Sequence, residues 1–144
     1  MKKLLFVLLF LSGLPLVFLS GCSSIQTVID RFNIAQFDNN EYAMVNRIRT
    51  IASESGKECD NPKIILASWE IYNTATELKN YSQYIPKNDQ SYKPISQLHE
   101  MTKELNDKYV GTGKVNVKYC ELKLQSITTS AESIQKAIAK RPRP

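Results

Sequence analysis

The stretch VKYCELKLQSITTSAESIQKAI, residues 117–138, decides the fold. Its apolar and small residues recur at alternating steps of three and four, which keeps them on one face of an α-helix. The members of this stripe are Val117, Cys120, Leu124, Ile127, Ala131, Ile134 and Ile138. The pattern predicts a long helix packed against a helical core. Val115, Val117 and Tyr119 also alternate as the residues of a β-strand would. For the first turn of this segment, the pattern therefore leaves helix and strand as alternatives.

Three upstream segments carry the same spacing. The first follows Asp38 and Glu41, which are placed as a capping box, and stops at Gly56. The second starts at Asp60-Asn61-Pro62 and ends at Pro86, and the third runs from Pro94 to the break at Gly111-Thr112-Gly113. Their predicted core stripes are Tyr42, Val45, Ile48 and Ala52; Ile64, Ile71, Ala75, Leu78, Ser82 and Ile85; and Ile95, Leu98, Thr102, Leu105 and Tyr109.

Four helices joined by short loops predict an all-α fold, an up-and-down antiparallel bundle. In that topology the end of the first helix, the start of the second, the end of the third and the start of the fourth share one pole. The bundle is expected over residues 38–140, followed by a basic, proline-containing tail at 141–144.

The N-terminus has the organisation of an export signal. Lys2 and Lys3 precede an apolar run from Leu4 to Leu19, which matches a charged region followed by an apolar region. A membrane-spanning helix needs about 20 apolar residues, whereas this run is shorter and is interrupted near its middle. Residues 1–21 are therefore predicted to be a cleavable signal peptide.

The four residues Leu19-Ser20-Gly21-Cys22 resemble the lipobox of bacterial lipoproteins. That resemblance implies a diacylglyceryl group on the Cys22 sulfur, cleavage between Gly21 and Cys22, and acylation of the new amino group. Several acyl chains anchor a protein stably, whereas one binds only marginally. Residues 22–37 then form a lipidated tether, and Ser23 resembles the pattern of outer-membrane lipoproteins facing the periplasm.

The composition of the chain after cleavage limits the number of domains and the kinds of ligand that are expected. About 123 residues remain, enough for one domain. Loss of Lys2 and Lys3 lowers the net charge from +5 to about +3, too mild to indicate nucleic-acid binding. With Cys22 lipidated, Cys59 and Cys120 remain in an oxidising compartment, and the bundle topology brings them to one pole, so a disulfide between them is expected. Neither a metal nor another cofactor is expected.

The opposite pole collects the tether, the turn between the second and third helices, and the C-terminus. Tyrosines and cations concentrate there, and both residue types suit a lipid headgroup layer. The hypothesis is that this pole lies against the bilayer, with a solvated charged surface as the plainer alternative. The candidate membrane-facing residues are Tyr81, Tyr84, Lys87, Tyr92, Arg141 and Arg143.

Residues suited to catalysis do not form a convincing constellation. Ser133 and Lys136 match S-x-x-K, but the partner motifs of penicillin-binding enzymes are absent. Glu100 and Glu104 flank His99 on one helix without a second converging element, and His99 is expected at the surface. Three aromatic residues are candidates either for a binding groove or, more simply, for the core: Trp69, Tyr72 and Tyr119.

Two non-enzymatic functions fit this sequence. The first is a lipid-anchored envelope adaptor that binds another envelope protein, similar in architecture to the pilotins that escort secretins. The alternative is a phage- or plasmid-encoded envelope lipoprotein, either an outer-membrane spanin subunit in lysis or an exclusion protein. Membrane lipid and an envelope protein are the expected partners, and no small-molecule substrate is evident.

Overall fold

The computed structural model describes residues 39–141, of which 78% are helical. The helices are α1 at residues 39–55, α2 at Ile64–Ser82, α3 at Tyr92–Thr112 and α4 at Val117–Ala139. No strand occurs within the described residues, so the predicted all-α fold is confirmed. The signal peptide, Cys22 and the tether lie outside this range, as do Asp38 and residues 142–144.

Local backbone chemistry sets the two ends of the α3–α4 connection. At the end of α3, Gly113 has a φ of 64°, a left-handed conformation that costs glycine little, and its N–H donates to the Tyr109 carbonyl at 2.8 Å. At the start of α4, the Asn116 side chain accepts from the Tyr119 N–H at 3.1 Å. This cap settles the ambiguity between helix and strand, because the chain is helical from Val117 onward.

The second helix is shorter at both ends than its sequence pattern predicts. The Asn61 side chain accepts from the Lys63 N–H at 3.0 Å, and this turn delays the start of α2 to Ile64. At the other end α2 stops at Ser82, and the Ile85 N–H donates to the Ser82 carbonyl at 3.1 Å in a tighter turn. The stripe nevertheless extends to Ile85, which is buried beyond the last helical turn.

The predicted stripes form the core with two exceptions. Every predicted member from α2 and α3 is buried, as is the α4 stripe from Cys120 to Ile138. Tyr42 in α1 and Val117 in α4 are exposed. Glu41 takes the core position predicted for Tyr42, whereas Val45, Ile48 and Ala52 are buried as predicted. Val117 lies in the first turn of α4, where the helix has only begun to face the core.

The helices form an antiparallel bundle in which each contacts its neighbours. Polar pairs join α1 to α2, α2 to α3, α3 to α4, and α4 back to α1. These pairs are Arg47 with Glu70 at 2.6 Å, Lys79 with Glu100 at 3.4 Å, Lys123 with Glu104 at 2.7 Å, and Gln135 with Asn46 at 3.2 Å.

The Cys59–Cys120 disulfide is present, as predicted, with the two Cα atoms 6.0 Å apart. Cys120 is fully buried on the α4 stripe, and Cys59 is buried in the loop between α1 and α2. The bridge therefore fastens the start of α4 to the α1–α2 loop. We call residues 53–66 and 106–122 the disulfide pole, and residues 39–42, 80–97 and 135–141 the tether pole.

Candidate functional site

A buried ionic cluster occupies the tether pole. Arg141, just beyond α4, donates from Nη2 to Glu41 Oε1 at 3.1 Å and from Nη1 to Glu41 Oε2. It also donates from Nε to Asp89 Oδ2 at 2.9 Å and from Nη2 to the Ser91 hydroxyl. Glu41 is fully buried and the Arg141 side chain is 12% exposed. One guanidinium thus joins the start of α1, the α2–α3 loop and the end of α4.

The α2–α3 loop prepares its own part of the cluster. Asp89 accepts from the Ser91 N–H at 2.8 Å and from the Ser91 hydroxyl at 2.7 Å. Burial acts to raise the pKa of Asp89, but the hydrogen bonds from Arg141 and Ser91 outweigh it, so this pKa lies below its usual value. Asp89 is therefore ionised beside the guanidinium at neutral pH.

The cluster corrects one predicted assignment. Arg141 was expected in a tail and against the bilayer, but its guanidinium turns inward to the Glu41 and Asp89 carboxylates. A buried carboxylate needs a cation, and Arg141 supplies it at the next position of the α4 stripe, three residues after Ile138. Arg143 lies outside the described residues.

The other membrane-facing candidates differ in exposure. Lys87 is exposed in the α2–α3 loop, and Tyr84 is 74% exposed beside it. Tyr81 and Tyr92 are half-buried. All four lie at the tether pole.

The three aromatic residues considered for a groove do not form one surface. Tyr72 packs between α2 and α3, with its ring centroid 5.6 Å from that of His99. Tyr119 lies on the α3–α4 side, where its hydroxyl donates to Glu104 at 2.6 Å and the Lys108 ammonium is 3.9 Å from its ring centroid. Burial, followed by the hydrogen bond to Glu104, holds the pKa of Tyr119 well above its usual value.

Trp69 instead belongs to an exposed apolar surface at the start of α2. Its side chain is 54% exposed, with Leu66 at 65% and Ile65 at 41%. The three residues occupy the first two turns of α2, directly after the loop that carries Cys59. We call Ile65, Leu66 and Trp69 the α2 patch. Single exposed apolar residues are ordinary, whereas neighbouring large ones are typical of interaction sites.

His99 is buried, contrary to the prediction of a surface position. Its Nδ1 lies 3.2 Å from the Lys79 ammonium and 3.4 Å from Glu100 Oε1. Hydrogen bonds from His99 and Lys79 lower the pKa of Glu100. The ring is covered by its neighbours, so the three groups stabilise the α2–α3 contact without exposing an imidazole to a substrate.

The surface of the described residues also carries open grooves. A groove of about 350 Å³ runs between α1 and α4 and is lined mainly by hydroxyl and carboxylate side chains. Within residues 39–141, no three histidine, cysteine or acidic side chains are placed to hold a metal ion. None of the helices in that range has the length and apolarity needed to cross a membrane. Ser133 and Lys136 are both exposed on α4.

Comparison with protein-family models, curated proteins and solved structures found no match to this chain.

Proposed function

We propose that this protein is a lipid-anchored envelope lipoprotein that acts as a protein-binding adaptor and has no enzymatic activity. The anchor is inferred from the lipobox-like residues Leu19 to Cys22. The outer membrane, with the bundle in the periplasm, is the proposed location because Ser23 follows the modified cysteine. The disulfide accords with an oxidising compartment.

The observation that carries the adaptor role is the α2 patch. Tryptophan is enriched among the residues that dominate protein interfaces, because a large flat side chain buries much area with few torsions to fix. Trp69 is more than half exposed beside the similarly exposed Leu66, so both remain available to a partner. The patch begins at the disulfide pole, and the tether enters the bundle at the other pole, before residue 39. A partner is therefore expected to approach from the end distant from the lipid.

Photocrosslinking in the host envelope tests the adaptor. A photoreactive amino acid is placed at Leu66, and in separate proteins at Gln125 and Ser133, two exposed control positions on α4. We expect one discrete adduct from Leu66 that Trp69→Ala removes while circular dichroism stays unchanged. Adducts of equal yield at all three positions, or no Leu66 adduct, would contradict the proposal.

Mass spectrometry of the purified protein tests the anchor independently. We expect the mature chain to begin at Cys22 and to carry acyl chains, and Cys22→Ser to abolish both cleavage and acylation. An unmodified chain that retains residues 1–21 would refute the lipoprotein assignment.

A further inference from the structure

Charge is distributed differently at the two poles of the bundle. The tether pole contains four lysines and Arg141 against only two carboxylates. The lysines, all exposed, are Lys87, Lys93, Lys136 and Lys140. The disulfide pole has five lysines and five carboxylates, so its charge is mixed. The excess positive charge of the described residues is therefore concentrated where the tether joins the bundle.

The ionic cluster increases the difference in surface charge between the two poles. Glu41 and Asp89 are the two carboxylates of the tether pole, and Arg141 contacts both within the fold. Glu41 is fully buried, and the Asp89 side chain is 16% exposed. The inward arginine thus offsets one of the two negative charges and holds both carboxylates inside the fold, while the lysines keep their ammonium groups at the surface. The outer face of this pole is cationic.

The length of the tether limits the distance between this face and the membrane. Residue 38 joins α1 at the tether pole, and the segment back to Cys22 spans at most roughly 55 Å when fully extended. If Cys22 is lipidated, the cationic face stays within that distance of a bilayer. Lysines carry long apolar stems, and Tyr84 adds an exposed amphipathic ring beside Lys87, a combination suited to headgroups.

We propose that the tether pole is a docking surface for anionic lipid headgroups, bound through Lys87, Lys93, Lys136 and Lys140. The proposal rests on the lipid anchor of the proposed function and adds an orientation to it. Arg141 contributes indirectly, because its guanidinium offsets one of the two negative charges and keeps both carboxylates turned away from the bilayer. The anchor holds the protein at the membrane, and the lysines turn the tether pole toward it.

Lysine footprinting of the intact lipidated protein tests this orientation. The protein is reconstituted in nanodiscs of phosphatidylcholine alone or with phosphatidylglycerol, and amine acetylation is measured at each lysine. We expect tether-pole lysines to react at least fivefold more slowly in anionic discs, and this protection to disappear in high salt. Lys57, Lys63 and Lys114 at the disulfide pole are internal controls whose reactivity should not change.

A matched pair of variants tests whether the lysines cause the orientation. In Lys87→Gln/Lys93→Gln/Lys140→Gln, we expect Lys136 to regain the reactivity it shows in neutral discs. In Lys57→Gln/Lys63→Gln/Lys114→Gln, Lys136 should stay protected. Each substituted position is exposed, and circular dichroism verifies the fold.

The outcomes separate the two proposals. Acylated Cys22 with equal reactivity of Lys136 in both kinds of disc overturns the docking surface but leaves the lipoprotein assignment intact. Protection that survives in the tether-pole variant also overturns it. Unacylated Cys22 refutes the lipid anchor, and with it the basis for this orientation.

Discussion

Truncation of Arg141 tests whether the ionic cluster stabilises the fold. Arg141→Ala leaves the fully buried Glu41 carboxylate without the guanidinium that contacts both of its oxygens, and removes the partner of Asp89. Breaking a buried pair from one side costs about 3–5 kcal/mol, because the remaining charge stays desolvated. These side chains are at most 16% exposed, so little solvent screening reduces that figure. We expect a loss near 3 kcal/mol.

Urea unfolding, followed by circular dichroism at 222 nm with the disulfide intact, measures this loss. Helix content is the better signal because Trp69 is half exposed and its fluorescence reports poorly on the core. With a slope of about 1.5 kcal/mol per molar urea, the midpoint should fall by roughly 2 M. The slope itself should not change, since the variant exposes a similar surface on unfolding.

A double variant separates the loss of the ion pair from a general loss of packing. Glu41→Leu/Arg141→Met removes the Glu41–Arg141 pair and keeps apolar volume, while Asp89 retains its hydrogen bonds from Ser91. This variant should therefore recover at least half of the loss in Arg141→Ala. A loss of less than about 1 kcal/mol in Arg141→Ala, or a double variant no more stable than the single one, would show that the ionic cluster does not stabilise the fold in this way.

Three further predictions concern stability. The pKa of Asp89 is lowered in the fold from 3.8, so its ion pair contributes fully to stability above that pH and is lost as the pH falls through the folded pKa. In urea unfolding, Asp89→Asn should be less stable than the parent protein at pH 7, and this difference in unfolding free energy should shrink below pH 3.8. A difference that stays constant with pH would contradict this. Cys59→Ser/Cys120→Ser removes a closure of 61 residues and should cost about 4 kcal/mol in urea unfolding, with less than 1 kcal/mol as the refuting result. The buried Tyr109 hydroxyl has no hydrogen-bond partner among the described residues, so Tyr109→Phe should raise the thermal midpoint by a few degrees, and a lower midpoint would disprove the point.

The sequence predicted the apolar part of the fold because periodicity measures apolar burial. The stripes of α2 and α3 are buried at every predicted position, and the disulfide joins the predicted pole. Periodicity predicted the helix boundaries less well, because single hydrogen bonds decide where a helix begins and ends. The Asn61 turn delays α2, and the Asn116 cap starts α4 despite the alternation around it.

Polar burial was not predicted, because its partners are distant in the chain. Glu41 and Arg141 are 100 residues apart, and each has an ordinary surface or tail role when considered alone. A signal was present: Glu41 precedes Val45, Ile48 and Ala52 at helical spacing, and Arg141 follows Ile138 on the α4 stripe. Opposite charges at adjoining ends of two antiparallel stripes indicate a pair, but recognising it requires the topology first.

The disulfide and the ionic cluster hold opposite ends of α4 in the bundle. Residues 113–116 connect the start of α4 to α3. Without further contacts, side-chain packing alone would hold the other end of α4 in the bundle. The disulfide holds its first turn covalently to the α1–α2 loop, while Arg141 ties the residues beyond its last turn to α1 and the α2–α3 loop. A force applied through a tether at residue 38 would act directly on α1, next to the ionic cluster. Because Arg141 joins three segments at that point, the load would be shared across the bundle before α1 could separate from α4.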